Sequence, residues 1–459
     1  MNTFSLGNLF QKLSNLGLET LEMLQGKQRQ SFIDVTRSLC RTLLQLKGEA
    51  SSIAIAEEII RHYQAASEAE KQSFFRYLHA DLGTDKPVVE KAIREWQAKP
   101  TGQNLQALGS ACDPPRLELL RTLNTAPGGT LALIGMREDL LKLPPEDPAF
   151  AVVSHDLLRL FRSWFNRGFL VLRRIDWQTP ALILEKLIHY ESVHAIQGWP
   201  DLRRRLESDR GCYGFFHPAI PDVPLIFVEA ALTDGLSGNI SALLQQEPPR
   251  DKEKLPNTAV FYSINNCLHG LRGVSFGNFL IKQVIEQLAV EAPHITQYVT
   301  LSPVPGFMRW LATDGKQLMQ AANDKSAPSK ETKAAVENLL RKGLSAEALA
   351  ASAPLQNYLP ILCARYLVQA KSRDKPADAV ARFHLGNGAR LERINWMADA
   401  SPNGLAQSAG LMVNYVYDRK TLARNHEAYE LKNEVAYSAA IKKLLPANSA
   451  AIIKLLPVK

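Results

Sequence analysis

Cysteine is scarce in this chain of 459 residues: Cys40, Cys112, Cys212, Cys267 and Cys363 are scattered, odd in number and contain no CxxC pair. A disulfide framework or structural zinc site is therefore not expected, and free thiols in a reducing compartment are. No apolar run reaches the ~18 residues that a transmembrane helix needs, so no membrane span is expected. The N-terminal stretch MNTFSLGNLFQKLSNL has no positive region ahead of an apolar core and little arginine. It reads as neither a secretory signal nor a mitochondrial presequence. The closing LLPVK is not a peroxisomal SKL tripeptide. A cytoplasmic protein is the expectation. There is no GxSxG elbow, no GK[ST] of a P-loop and no HExxH, since His189 and His194 stand five apart. Helix-turn-helix and RNA-binding signatures are missing too, so no nucleic-acid partner is expected.

What is present is ordinary globular usage. Hydrophobic residues make up 46% and charged residues 22%, which excludes a fibrous or fully disordered chain. The net charge of +8 fits either a solvated basic surface or a phosphate-bearing anionic ligand, and does not choose between them. At about 150 residues per domain, the length predicts two or three domains.

Up to about residue 165 the pattern is helix after helix. Apolar residues recur at three- and four-residue spacing through Cys40–Leu46, through Ile53–Tyr63 and at Leu157, Phe161, Trp164 and Phe165, with Ser154 as an N-cap. Near Arg173–Trp177 the character changes. Val223–Thr233, Ala259–Ile264 and Ile295–Leu301 are β-rich, and an amphipathic helix over Asn278–Ala292 separates the last two. Residues 316–335 read as an exposed polar loop, 336–371 as helical, 383–417 as mixed, and 438–459 as a mildly basic C-terminal helix. Trp177, Trp199 and Trp396 are expected in the core, and Arg203–Arg204–Arg205 on a solvated helix face. The fold class that follows is α+β: a helical domain over 1–170, for packing or oligomerisation, then a mixed α/β domain over 171–459.

Between the second and third of these strands lies Arg272-Gly273-Val274-Ser275-Phe276-Gly277-Asn278. Glycines let a backbone turn tightly and approach a ligand, and free N–H groups at a helix start suit a phosphate. By itself the pattern is either a plain tight turn or a phosphate cradle. It resembles the pyrophosphate turn of the GNAT acyl-CoA transferases, Q/R-x-x-G-x-G/A, with Arg272 and Gly277 at the matching ends. Ser275 stands where the inner glycine usually sits.

A longer series follows in order. It comprises YESVHAIQGWPDLRRRL (190–206), CYGFFHPAIPDVPLIFVEAALT (212–233), GNI (238–240), FYSI (261–264), LSPVPGF (301–307), FHLGNGA (383–389), RINWMAD (393–399) and GLMVNYVY (410–417). This series resembles the malonyl-CoA decarboxylase family, strongly over about 150–420. The resemblance implies a helical domain joined to a GNAT-like catalytic domain, with malonyl-CoA as substrate and acetyl-CoA and CO2 as products. A homo-oligomer formed through the helical domain is expected.

The chemistry needs few groups. Electrons leaving with CO2 enter the thioester carbonyl, so no metal or organic cofactor is expected. The protein must hold a poorly solvated carboxylate, stabilise an enolate oxygen and deliver a proton to Cα. The resemblance places Ser302 as the residue holding the malonyl group, His384 as the proton donor and Tyr417 beside them, with residues 272–278 on the CoA pyrophosphate. Read without it, Ser302 is a strand-end turn residue, His384 a satisfied core histidine, and Tyr417 either a packed aromatic or a site residue. Family members can carry a glutamate in the phosphate turn, where this chain has Ser275. Glu229, on a predicted strand, is a candidate to compensate. An acyl-CoA transferase and a non-catalytic acyl-CoA-binding protein are the rival readings.

Overall fold

The computed structural model describes residues 31–46, 48–245, 255–274, 280–315 and 328–445. The chain divides into two compact units, Met1–Leu170 with His217–Pro221 and Leu268–Ser275, and Val171–Phe216 with Asp222–Cys267 and Phe276–Lys459.

The described part of the first unit is helical, from Phe32–Gln45 to Pro148–Trp164. Its helices start where short polar side chains take up the free N–H groups. Ser31, Asp85 and Thr101 act this way, and Ser67 with Glu70 forms a reciprocal box. Ser154 is not a cap: Asp147 starts the last helix, with Pro148 at its first position, and Ser154 lies inside it. The apolar faces meet in a core that includes Leu117, Leu120, Leu133, Leu157 and Phe161. A buried ion pair joins Arg116 to Asp156 at 2.6 Å. The segment Leu268–Ser275 is seated on this unit because Arg137 donates to the Gly270 carbonyl at 2.5 Å.

The second unit is built on an eight-stranded sheet. Its strands are β1 (Val171–Ile175), β2 (Arg210–Phe216), β3 (Ile226–Thr233), β4 (Thr258–Asn266), β5 (Gln297–Thr300), β6 (Ser302–Pro303), β9 (Arg390–Asn395) and β10 (Met412–Val416). Two-residue strands β7 (Lys371–Ser372) and β8 (Lys375–Pro376) form a separate ribbon. The order is β1-β2-β3-β4-β5-β10-β6, with β9 also on β10. All pairs are antiparallel except β4–β5. That parallel pair needs a crossover, and the helix Leu280–Glu291 lies in it with Leu280, Val284 and Leu288 buried. The fold is therefore α+β, a helical N-terminal region followed by a mixed sheet with helices.

Several elements depart from expectation. The helix expected after residue 335 begins at Lys330, because Ser329 caps it. Residues 316–327, 278–279 and 446–459 of the expected loop, crossover helix and tail lie outside the described residues. Arg204 and Arg205 are buried, not solvated. Arg204 pairs with Asp209 at 2.6 Å, and Arg205 with Glu229 at 2.9 Å and Asp201 at 3.1 Å. A guanidinium can leave water when its fork is filled with carboxylates. Trp177 and Trp199 are exposed, with the Arg203 guanidinium 5.6 Å from the Trp177 ring centre, and Trp396 is only partly buried.

Candidate active site

Two features of the backbone open a cavity in the second unit. Opposite β3, the register of β4 steps from Ser263↔Glu229 to Phe261↔Ala230, leaving Tyr262 as an unpaired bulge residue. On the other edge, the β4–β5 ladder ends at Phe261↔Thr300, and Leu301 N–H donates to the Phe261 carbonyl at 2.9 Å. Beyond that point the chain continues as β6 against β10 alone. The wedge holds a cavity of about 260 Å³, with Ile226, Val228, Phe261, Ile264, Ile281 and Val380 among its walls. Ser302, His384, Asn266 and Tyr262 are its polar lining, and among the described residues no carboxylate, lysine or arginine lines it.

Ser302 sits at the start of β6, with Pro303 and Pro305 fixing the backbone after it. His384 comes from the helix Ala379–Gly386. Asp378 caps that helix by accepting from Ala381 N–H at 2.8 Å. The helix stops two residues after His384, whose carbonyl accepts from Asn387 and Ala389 N–H, both at 3.1 Å. Gly388 makes that turn at φ +84°, and a Cβ there would lie 2.2 Å from the Leu422 carbonyl oxygen. Gly388 of FHLGNG thus lets the chain turn away just after the helix that carries the histidine.

The side chains then join. Ser302 Oγ lies 3.0 Å from His384 Nε2, and His384 Nδ1 lies 2.8 Å from Tyr417 Oη. Ser302 Oγ also donates to Thr300 Oγ1 at 2.8 Å, and Tyr415 N–H donates to the same Thr300 oxygen at 3.1 Å. The Tyr415 ring stacks on the imidazole with centroids 4.6 Å apart. Behind them Asn414 donates to the carbonyls of Thr300 at 2.7 Å and Ser237 at 2.9 Å. Its own oxygen accepts from Asn395 at 2.9 Å and Arg393 at 3.1 Å. Burial pushes the His384 pKa down to about 3, so the imidazole is neutral near pH 7. Burial likewise pushes the Tyr417 phenol well above its ordinary range, so it stays protonated.

Ser302, His384 and Tyr417 are therefore one hydrogen-bonded cluster. Of the phosphate-turn residues, Arg272, Gly273 and Val274 count with the helical unit, and Ser275, Phe276, Gly277 and Asn278 lie outside the described residues. Gly273 is at φ +85°, where glycine is favoured, and its carbonyl accepts from Arg162 at 3.4 Å. Arg272 is exposed, and together with Arg162 it lowers the pKa of Arg137, after burial itself. Three guanidiniums thus gather at this turn. Glu229 does not line the cavity; it faces Arg205. Burial pushes its carboxyl up to about 8 against the pull of Arg205.

Sequence reading missed Thr300, Asn414 and Tyr415. The signal for two of them was period two: Thr300 and Ser302, like Tyr415 and Tyr417, are two apart and so share a strand face.

Comparison with known proteins then decides the family. The sequence matches the family model of the malonyl-CoA decarboxylase C-terminal domain over residues 168–454, and that of the N-terminal domain over 82–165. The chain belongs to the malonyl-CoA decarboxylase family. It is 35% identical over 400 residues to the mitochondrial malonyl-CoA decarboxylase of Anser anser anser, covering 81% of this chain and 79% of that one. The crystal structure of malonyl-CoA decarboxylase from Rhodopseudomonas palustris is 45% identical, with a TM-score of 0.80 over 90% of this chain and all of that one. The Agrobacterium vitis structure is 44% identical, with a TM-score of 0.81 over 89% of this chain and 99% of that one. Malonyl-CoA is thus the substrate, and the chain is a carboxy-lyase. The transferase and non-catalytic readings give way to it. The vertebrate relatives are named as mitochondrial, which lends no support to the cytoplasmic expectation. No helix among the described residues is long and apolar enough to cross a membrane.

Proposed function

We propose that the Ser302–His384–Tyr417 cluster decarboxylates malonyl-CoA through a thioester enolate. The observation that carries this is a neutral, hydrogen-bonded Ser–His pair facing an otherwise apolar, uncharged cavity. A malonyl carboxylate there loses its water, which favours its departure as neutral CO2. Ser302 holds the malonyl group. The C–C bond breaks, its electrons enter the thioester carbonyl, and hydrogen-bond donors steady the enolate oxygen.

Each turnover then consumes one proton at Cα. The free imidazole is neutral, but a carboxylate brought beside it favours the imidazolium. A proton therefore enters with the substrate, and His384 passes it to Cα. Tyr417 orients the ring through Nδ1. Arg272, Gly273, Val274, Ser275, Phe276, Gly277 and Asn278 hold the CoA pyrophosphate, supported by the three guanidiniums gathered there. The thioester is the electron sink, and no resident metal or organic cofactor is invoked. Five free cysteines fit a reducing compartment, read as the cytoplasm, and cell fractionation tests this location.

Incubation of malonyl-CoA with enzyme in D2O and EDTA tests this chemistry. Acetyl-CoA carrying solvent deuterium at its methyl carbon is expected. Inactivation by EDTA, reversed by added metal, would contradict it.

The helical unit is read as the oligomerisation module. The helices Lys86–Ala98 and Gly102–Cys112 bury only Ala92 between them, while Val88, Ile93, Trp96 and Leu105 are exposed. A second copy of the chain would cover this face.

A further inference from the structure

Thr300 lies behind Ser302, is fully buried and does not line the cavity. Its hydroxyl oxygen takes two donors, the Tyr415 backbone N–H at 3.1 Å and the Ser302 hydroxyl at 2.8 Å. The first is fixed by β10, so the oxygen is pinned with one lone pair aimed at Ser302. A serine hydroxyl has a single proton. If Thr300 takes it, Ser302 can meet His384 Nε2 only as an acceptor, so Nε2 carries a hydrogen. Nδ1 of the neutral ring is then bare, and it accepts from the protonated Tyr417 hydroxyl at 2.8 Å. One donor sense thus runs through four residues, from Tyr417 through His384 and Ser302 to Thr300.

We infer that Thr300 is a positioning residue that fixes the direction of this chain: by taking the Ser302 proton it holds His384 in the Nε2–H tautomer, with the hydrogen on the cavity side. The inference rests on the reading of Ser302 and His384 given above. It also sets this pair apart from a nucleophile and its base, where the serine proton points at the imidazole. Withholding that proton from the imidazole leaves Ser302 without a base, so the thioester carbonyl stays unattacked, and on binding Ser302 turns the proton from Thr300 to the malonyl group it holds.

The test compares Thr300→Val, which keeps the shape and removes the acceptor, with Thr300→Ser, which restores it. In the free enzyme, ¹⁵N spectra of His384 should report Nε2–H in wild type and Thr300→Ser. In Thr300→Val, Ser302 turns its proton onto Nε2 and the ring moves to Nδ1–H. Thr300→Val should lower kcat at least about tenfold with little change in KM, the scale on which misplaced groups cost rate. In a Ser302→Ala background the same substitution should have no further effect. An unchanged tautomer in Thr300→Val, or an equal loss in both backgrounds, would overturn the inference. Wild-type turnover by Ser302→Ala alone would instead defeat the underlying reading, which separates the two failures.

Discussion

A histidine with its ring in an apolar cavity has little reason to carry charge, and His384 shows the consequence. Its pKa near 3 lies below the ordinary value of about 6.5. Between those values the unfolded chain binds a proton that the folded chain does not. Stability therefore falls as pH drops from about 6.5 toward 3. Glu229, raised to about 8, has the opposite sign: the folded chain holds the extra proton, so its contribution falls as pH rises from about 4.5 to 8. Comparing wild type with His384→Gln isolates the histidine. Urea titrations at pH 7 and pH 5 should show wild type losing more stability on acidification than the variant. Equal losses would mean that the ring is charged in the folded protein. At this scale the sequence was informative where a motif matched, since Ser302, His384 and Tyr417 do converge. Arg204 and Arg205 were misread as solvated, because a run of arginines does not reveal that Asp209, Asp201 and Glu229 will face them.

The elements around the site are tied by a few close approaches. Gly306 follows Ser302 by four residues, and a Cβ on it would lie 2.1 Å from the Tyr366 hydroxyl oxygen. That hydroxyl donates to Asp378 at 3.3 Å, and Asp378 also accepts from the Gly306 backbone and caps the His384 helix. One small residue thus lets the Ser302 segment meet the His384 helix. Gly306→Ala should destabilise by about 1–3 kcal/mol, the usual cost of overpacking. It should also lower kcat, because Ser302 and His384, to which the proposed mechanism assigns the chemistry, both hang from this junction. A variant with wild-type urea midpoint and turnover would show that the junction yields freely. β4, the crossover helix and β5 were legible from apolar pattern and the proline after the helix. The bulge at Tyr262 and the two-residue β6 were not, because pairing register is a property of two strands together.

Over the whole molecule the chain forms two units, one helical and one built on the sheet, and the proposed chemistry belongs to the second. The change from helical to strand pattern near residue 173 was readable. The return of His217–Pro221 and Leu268–Ser275 to the helical unit was not, since nothing local marks a loop for a distant partner. The exposed apolar face of the 86–112 hairpin leads to a prediction at this scale. Sedimentation of the full chain should show an assembly larger than the monomer, shifted toward monomer by Trp96→Glu. An unchanged distribution would remove that face from the interface.

The rate of CO2 release by His384→Gln tests the proposed proton transfer by His384 most directly. Glutamine fills a similar space and donates a hydrogen bond but cannot carry the proton. A fall in kcat on the order of 100-fold or more is predicted, the range that positioned acid–base groups supply, with CoA affinity and thermal unfolding retained. Turnover at the wild-type rate in the folded variant would contradict the assignment of proton transfer to His384.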